Sequence, residues 1–395
     1  MNTNDLKLRR DVVAEHLRGV PRSGIRDFFE IVNSMPNVIS LGIGEPDFDT
    51  PWHVREASVF ALEKGATGYT SNMGLPGLRR EIARYVERTF GLLYDSEKEV
   101  LITVGVSEGL DLAVRALINP GDEVLYHEPC YVSYGPLVVF AHGRPVPVGT
   151  RLEDGFRITR ELLEKQITSK SRILLLNYPN NPTGATLDME DIRWISEFAK
   201  SNDLMVITDE IYAELTYGKK HVSIASMPDM KERTIFLHGF SKAWAMTGFR
   251  IGYACAPPEL IEAMMKIHQY SMLCAPILSQ EAAVEALKNP ERDIGEMRSE
   301  YEKHRNFILR SLRDMGLKCN EPHGAFYIFP YVGDTGLSSK EFAIRLLEEE
   351  KVAVVPGSAF GSSGEGFVRC SYATSLVELK EAMSRMAKFI KRLRS

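Results

Sequence analysis

The chain is short of everything that would mark a membrane protein, a disulfide scaffold or a nucleic-acid binder. Only five of its 395 residues are cysteine: Cys130, Cys255, Cys274, Cys319 and Cys370. The number is odd, the spacing is wide, and there is no C-x-x-C pair or Cys/His cluster. Neither a disulfide framework nor a zinc site is indicated, and reduced thiols in a cytoplasm are the expectation. No apolar run is long enough to span a bilayer. The opening segment MNTNDLKLRRDVVAEHLRGV lacks the apolar centre of a secretory signal. There is no Lys/Arg run, and the net charge is −5, which removes the electrostatic case for nucleic acid or an acidic lipid surface. Internal repeats and low-complexity tracts are also absent. We therefore expect no metal, no nucleic-acid partner and no membrane.

What is present is the composition of a globular protein, 44% hydrophobic and 26% charged, in a chain long enough for two or three domains. The middle of the chain alternates two kinds of segment. Predicted strands cover 100–104, 123–127, 172–177, 204–208, 234–238 and 251–255. Predicted helices cover 107–118 and 187–201. Short apolar strands alternating with helices indicate an α/β unit with a mainly parallel sheet covered on both faces. After about residue 280 the pattern changes to long charged amphipathic helices, 294–315 and 376–393. Strand-like segments at 324–330, 352–355 and 367–371 lie between them, as in a smaller α+β unit. We expect residues 46–285 to form the large domain and 286–395 the small one. Residues 1–45, which have no sheet pattern of their own, are expected to pack with the small domain.

Lys242 is the most informative residue. It sits between two apolar runs in TIFLHGFSKAWAMTGFRIGYACAP, behind Ser241 and eight residues before Arg250. A lysine held between buried strands loses its charge readily, and a neutral amine can attack a carbonyl. An arginine beside a glycine suits a fixed anion such as phosphate. Taken alone, the segment also fits an exposed turn with a surface ion pair.

Three further features fall where ligands gather, at the carboxyl ends of predicted strands. The first is Gly105-Val106-Ser107, which opens a helix; free N–H groups and the helix dipole there favour phosphate. The second is Tyr178-Pro179-Asn180-Asn181-Pro182-Thr183-Gly184, a proline-stiffened loop able to hold Asn181 in one pose, though Asn-Pro turns are common. The third is Asp209-Glu210-Ile211-Tyr212. A carboxylate at the end of an apolar strand needs a partner; Asp209 could cap a following helix or hold a proton on a ligand nitrogen, and Tyr212 could aim a phenol at the same ligand.

In this order along the chain, these motifs resemble the class I and II pyridoxal-phosphate-dependent aminotransferases of fold type I. The resemblance extends over Gly44-Glu45-Pro46-Asp47-Phe48, Tyr69 in GYTSNMGLPGLR, Pro129-Cys130-Tyr131, NNPTG, DEIY, SKAWAMTGFRIGY, GAFYIFP, VVPGSAFG and GEGFVRCSYA. It implies a seven-stranded, mainly parallel sheet flanked by helices, with a smaller α+β domain. It implies that pyridoxal 5′-phosphate forms a Schiff base with Lys242, which then moves the substrate proton. Asp209 would hold the pyridine nitrogen protonated, Asn181 and Tyr212 would reach the ring's phenolic oxygen, and Tyr131 would stack on the ring. Gly105, Val106, Ser107, Ser241 and Arg250 would hold the phosphate. Arg369 would grip the substrate α-carboxylate, with the Gly44 N–H closing over it. Tyr69 would reach the neighbouring subunit's cofactor, so a homodimer with shared active sites is implied.

Two departures stand out. Many such proteins carry serine or asparagine where this chain has Gly239, and a small residue where it has Val106. The implied reaction moves an amino group between an L-α-amino acid, aromatic or broad in range, and a 2-oxo acid, with 2-oxoglutarate the acceptor. An aspartate preference is the alternative. A C–S lyase is the alternative of another class, but such relatives often carry histidine where Tyr212 stands. A condensing enzyme usually carries histidine where Ile211 stands. The side-chain pocket is expected near Ser23-Gly24-Ile25 and the region Tyr270 to Pro276.

Overall fold

The computed structural model describes residues 13–20 and 35–394. Its centre is a seven-stranded sheet of β2 (Val100–Thr103), β3 (Glu123–Glu128), β4 (Arg144–Gly149), β5 (Ser171–Leu176), β6 (Met205–Asp209), β7 (Thr234–Gly239) and β8 (Gly252–Cys255). The spatial order is β2-β8-β7-β6-β5-β3-β4, and β8 alone runs antiparallel to its neighbours. β1 (Ile39–Ser40) lies outside this sheet and pairs in parallel with β10 (Val352–Ala353). A three-stranded antiparallel sheet joins β9 (Tyr327–Ile328), β11 (Val355–Pro356) and β12 (Val368–Ser371).

The central strands are buried on both faces, which is why they read as unbroken apolar runs. Alternate residues of β5 point to opposite sides: Leu174 and Leu176 join one core cluster, Ile173 and Leu175 another. Helices Gly105–Leu117 and Pro258–Ser271 cover one of these faces together, and helix Met189–Ser201 seals the other. A separate core forms around β9, β10 and β12 and the helices Pro290–Asp314, Ser339–Glu350 and Leu376–Leu393; it also takes in Leu41, Tyr212 and Leu215.

Several boundaries move from their expected places. The strand over 352–355 divides at Val354: β10 pairs with β1, and β11 with β12. Only Tyr327–Ile328 of 324–330 joins a sheet. The helix expected at 107 begins at Gly105, and the one expected at 294 begins at Pro290, where a missing N–H costs nothing. β4 was not expected. Its RPVPVG sequence carries two prolines, tolerated because β4 is an edge strand. No helix follows Asp209: residues 211–214 form turns, so that side chain is not a helix cap.

Candidate active site

The parallel strands end together on one side of the sheet. β6 delivers Asp209, β7 runs on to Ser241 and Lys242, β5 runs on to Asn177 and Asn181, and β2 feeds the helix opening at Gly105. Gly44, Val106, Ser107, Tyr131, Asn181, Asp209, Tyr212, Ser241, Lys242, Arg250 and Arg369 all line one cavity of about 800 Å³.

Asp209 forms the floor of this cavity and is 5% exposed. Its Oδ2 accepts the Tyr134 hydroxyl at 2.8 Å and its Oδ1 accepts the Ile211 N–H at 3.3 Å. Burial pushes its pKa up to about 6, against those two hydrogen bonds. Asn177 braces both neighbours: its Nδ2 donates to the Asp209 carbonyl and its Oδ1 accepts the Asn181 N–H.

Lys242 Nζ donates to the Gly44 carbonyl at 2.7 Å and lies 5.8 Å from the centre of the Tyr212 ring. Burial lowers its pKa to about 8; Glu45 opposes the shift, while Arg369 and Arg250 add to it. An amine in that range is partly neutral near physiological pH, as a nucleophile or proton carrier must be. The Tyr212 hydroxyl meets that of Tyr327 at 3.0 Å.

Arg369 is 3% exposed and has no carboxylate partner among the described residues. Its Nη1 donates to Asn181 Oδ1 at 2.9 Å and its Nη2 to the Gly42 carbonyl at 2.6 Å, while Nε stays unpaired. The Tyr327 and Phe360 rings flank it at 4.5 and 4.9 Å. A buried guanidinium without a counter-ion is costly unless an anion arrives to pair with it. Gly44 stands over the same group: a Cβ there would lie 2.9 Å from the Tyr327 hydroxyl and 3.7 Å from Arg369 Nη2.

At the other end of the cavity the helix Gly105–Leu117 presents the free N–H groups of its first turn. Gly105 has φ +72°, and a Cβ on it would lie 2.7 Å from Arg250 Nη2. Arg250 Nη1 donates to the Thr247 carbonyl at 3.0 Å. The two sequence departures prove to be one. A Cβ on Gly239 would lie 3.0 Å from Gly252 Cα, 3.1 Å from the Ile251 carbonyl and 3.2 Å from Val106 Cγ2. Val106 fills the space beside Gly239, where a side chain would otherwise project.

Other expected residues fall elsewhere. Tyr69 does not line this cavity; its side chain is 85% exposed on the surface. Ser23-Gly24-Ile25 lie outside the described residues, and none of Tyr270 to Pro276 lines the cavity. Tyr134, Asn177 and Tyr327 were not foreseen as site residues. Tyr134 falls one turn beyond Tyr131, and Tyr327 lies within GAFYIFP, but nothing in the sequence sets their partners.

The fold and this constellation define a transferase of the aminotransferase type, and comparison with known proteins agrees. The family model for aminotransferase class I and II matches residues 36–386, and the chain belongs to that family. A putative aminotransferase, YugH, of Bacillus subtilis is 51% identical, covering 96% of this chain and 98% of its own. The aspartate aminotransferase of Pyrococcus abyssi is 46% identical over the same shares of each chain. The crystal structure of an aromatic aminotransferase from Pyrococcus horikoshii superposes with a TM-score of 0.89 at 45% identity, covering 94% of this chain and 99% of that one.

Members of the family use pyridoxal 5′-phosphate, and the cavity fits it. The Arg250 guanidinium lies against the helix N-terminus, so close that a Cβ on Gly105 would crowd it. A buried carboxylate lies on the floor and an amine of lowered pKa on the wall. Each end of that cofactor finds its chemical complement here.

Proposed function

We propose that this aminotransferase moves the amino group of aromatic or broadly chosen L-α-amino acids to a 2-oxo acid, with 2-oxoglutarate the principal acceptor. The observation that carries the reading is one cavity holding a nucleophilic lysine, a buried carboxylate and an arginine without a counter-ion. Arg369 binds the substrate α-carboxylate through its paired N–H groups, and the Gly44 backbone covers it. The phosphate is held by the N–H groups of Gly105, Val106 and Ser107, the Ser241 hydroxyl and the Arg250 guanidinium. Asp209 keeps the ring nitrogen protonated, Asn181 and Tyr212 address the ring hydroxyl, and Tyr131 stacks on the ring. Bound pyridoxal phosphate supplies an electron sink for the charge left when the substrate Cα–H bond breaks. The Lys242 amine would take the substrate Cα proton and hand it back, the proton-carrier role its lowered pKa suits.

The side-chain preference follows from what the cavity does not contain. Its lining cations among the described residues are Lys242, Arg250 and Arg369, and each already has a role above. Among the described residues no further cation lines the cavity for a second carboxylate, whereas Ile43, Leu110 and Tyr131 offer apolar wall. Relatives named for aspartate and for aromatic amino acids lie at nearly equal identity, 46% and 45%, and the apolar wall favours the aromatic side.

We place the protein in the cytoplasm as a homodimer. All five cysteines are free thiols. Trp52, Phe60, Tyr69, Tyr270 and Met272 are exposed apolar side chains suited to cover by a second copy. The test is to add single L-amino acids, without oxo acid, to the protein loaded with pyridoxal phosphate. Conversion of the cofactor to its amine form with release of the matching oxo acid, strongest for aromatic donors, is expected. Pyruvate and ammonia from sulfur amino acids, with the cofactor unchanged, would replace the reading by a lyase.

A further inference from the structure

Behind the cavity lies a buried link that none of the roles above uses. His238 is fully buried at the end of β7, four residues before Lys242. Its Nδ1 accepts the N–H of Gly239 at 2.7 Å. That nitrogen therefore presents a lone pair, and a neutral ring must carry its proton on Nε2. Nε2 faces the Glu214 carboxylate at 3.0 and 3.1 Å to its two oxygens. The Tyr85 hydroxyl donates to the same carboxylate at 2.6 Å. The rings of Phe236, Phe90, Tyr253 and Tyr85 surround the imidazole at 5.4 to 6.5 Å between centroids, leaving it no room to turn.

The two ends of this link belong to the two segments that carry the chemistry. Glu214 closes the turn that starts at Asp209 and includes Tyr212. Gly239 opens the turn that leads to Ser241 and Lys242. At the end of the β6–β7 ladder a backbone bond runs from the Glu210 N–H to the Leu237 carbonyl, 2.9 Å, one strand position earlier. Beyond it, Glu214 and His238 span the gap. A buried, fully satisfied hydrogen-bond pair in a low-dielectric setting has one geometry and holds it.

We infer that Glu214 and His238 act together as positioning residues that set Lys242 against Asp209 and Tyr212. This rests on the function proposed above. Neither residue lines the cavity, and neither touches Arg369, whose partners are Asn181 and Gly42. The pair therefore bears on the proton-transfer geometry and not on substrate binding.

The test uses the cofactor-loaded protein with Glu214→Ala, His238→Ala and the double variant. Each single change should lower kcat on the order of tenfold, as a sub-ångström misplacement of a proton carrier does, while KM for the amino acid holds. The double variant should be no slower than either single one, because the two residues act as one unit. Glu214→Gln keeps an acceptor for Nε2–H and should recover most of the rate. His238→Gln keeps a donor for Glu214 but loses the acceptor for Gly239, and should stay slow; it carries the test if His238→Ala fails to fold. A second readout is independent of turnover. Nitrogen-15 NMR of the cofactor-free protein should show the His238 ring proton on Nε2, with Nδ1 the acceptor. Unchanged kcat in folded variants, additive losses, a KM effect, or a proton on Nδ1 would each overturn the inference. If the unaltered protein performs no amino transfer, the proposed function fails instead, and the NMR result still decides the hydrogen-bond pair.

Discussion

The Tyr134 hydroxyl donates to Asp209 Oδ2 at 2.8 Å, with Tyr134 wholly buried and Asp209 nearly so. The hydrogen bond stabilises the ionised carboxylate against the burial that otherwise favours its protonation. Tyr134→Phe should move the Asp209 pKa upward from about 6. Hydrogen bonds to charged groups contribute about 1.5–3 kcal/mol, so affinity for pyridoxal phosphate should fall roughly tenfold or more. Titration of the cofactor-free protein with cofactor checks this; an unchanged dissociation constant would show that Tyr134 only packs.

Asp209 makes the empty site unstable in a pH-dependent way. Its folded-state pKa lies above the ordinary value of 3.8, at about 6. A carboxyl raised in this way contributes stability while protonated, and that contribution is lost as pH rises through about 6. The loss amounts to about 3 kcal/mol at most. Cofactor-free Asp209→Asn should therefore melt higher than the unaltered protein at pH 7.5, with the gap closing below about pH 4. Thermal unfolding across that range decides it; a pH-independent gap would assign the effect to packing.

Lys242→Ala should abolish turnover, with a fall of at least about 10²–10⁴-fold, the range supplied by a positioned proton carrier. The fold should survive, because among the described residues the side chain's one hydrogen bond is to the Gly44 carbonyl. Near-normal amino transfer by a folded variant would sink the mechanism.

Arg369→Lys replaces a two-pronged donor with a point charge. Lysine cannot hold Asn181 and Gly42 while also gripping a carboxylate with two parallel bonds. KM should rise by roughly tenfold or more for aromatic, aliphatic and acidic donors alike. A loss confined to one donor class would make Arg369 a side-chain specificity residue.

Gly105→Ala places a Cβ 2.7 Å from Arg250 Nη2 at a backbone φ of +72°. The left-handed conformation alone costs about 1 kcal/mol for alanine, and Arg250 must move. Affinity for pyridoxal phosphate should drop while affinity for pyridoxal, which lacks the phosphate, holds. Equal losses for both would separate Gly105 from phosphate binding.

The sheet strands were legible because burial on both faces demands apolar residues at successive positions; 172–177 is offset from the observed strand by one residue, and 234–238 falls one residue short at its end. β4 was not, because its prolines speak against a strand and only its edge position permits them. The break at Val354 was invisible for a different reason. Four buried residues in a row look alike whether they pair with one neighbour or change partners midway.

By itself the sequence determined the residue types and their order: a lysine between apolar runs, a carboxylate at a strand end, a glycine-led helix and an arginine in GFVRCSYA. Those are local facts, set by propensity, burial pattern and turn chemistry. Which groups meet was decided only by tertiary structure. Tyr134 reaches Asp209 across 75 residues, Arg369 reaches Gly42 across 327, and Tyr212 meets Tyr327 across 115. Contacts at such separations follow from strand order and crossover geometry. Hydrogen-bond direction and pKa follow in turn from the burial that packing imposes, and no single segment of the chain contains either.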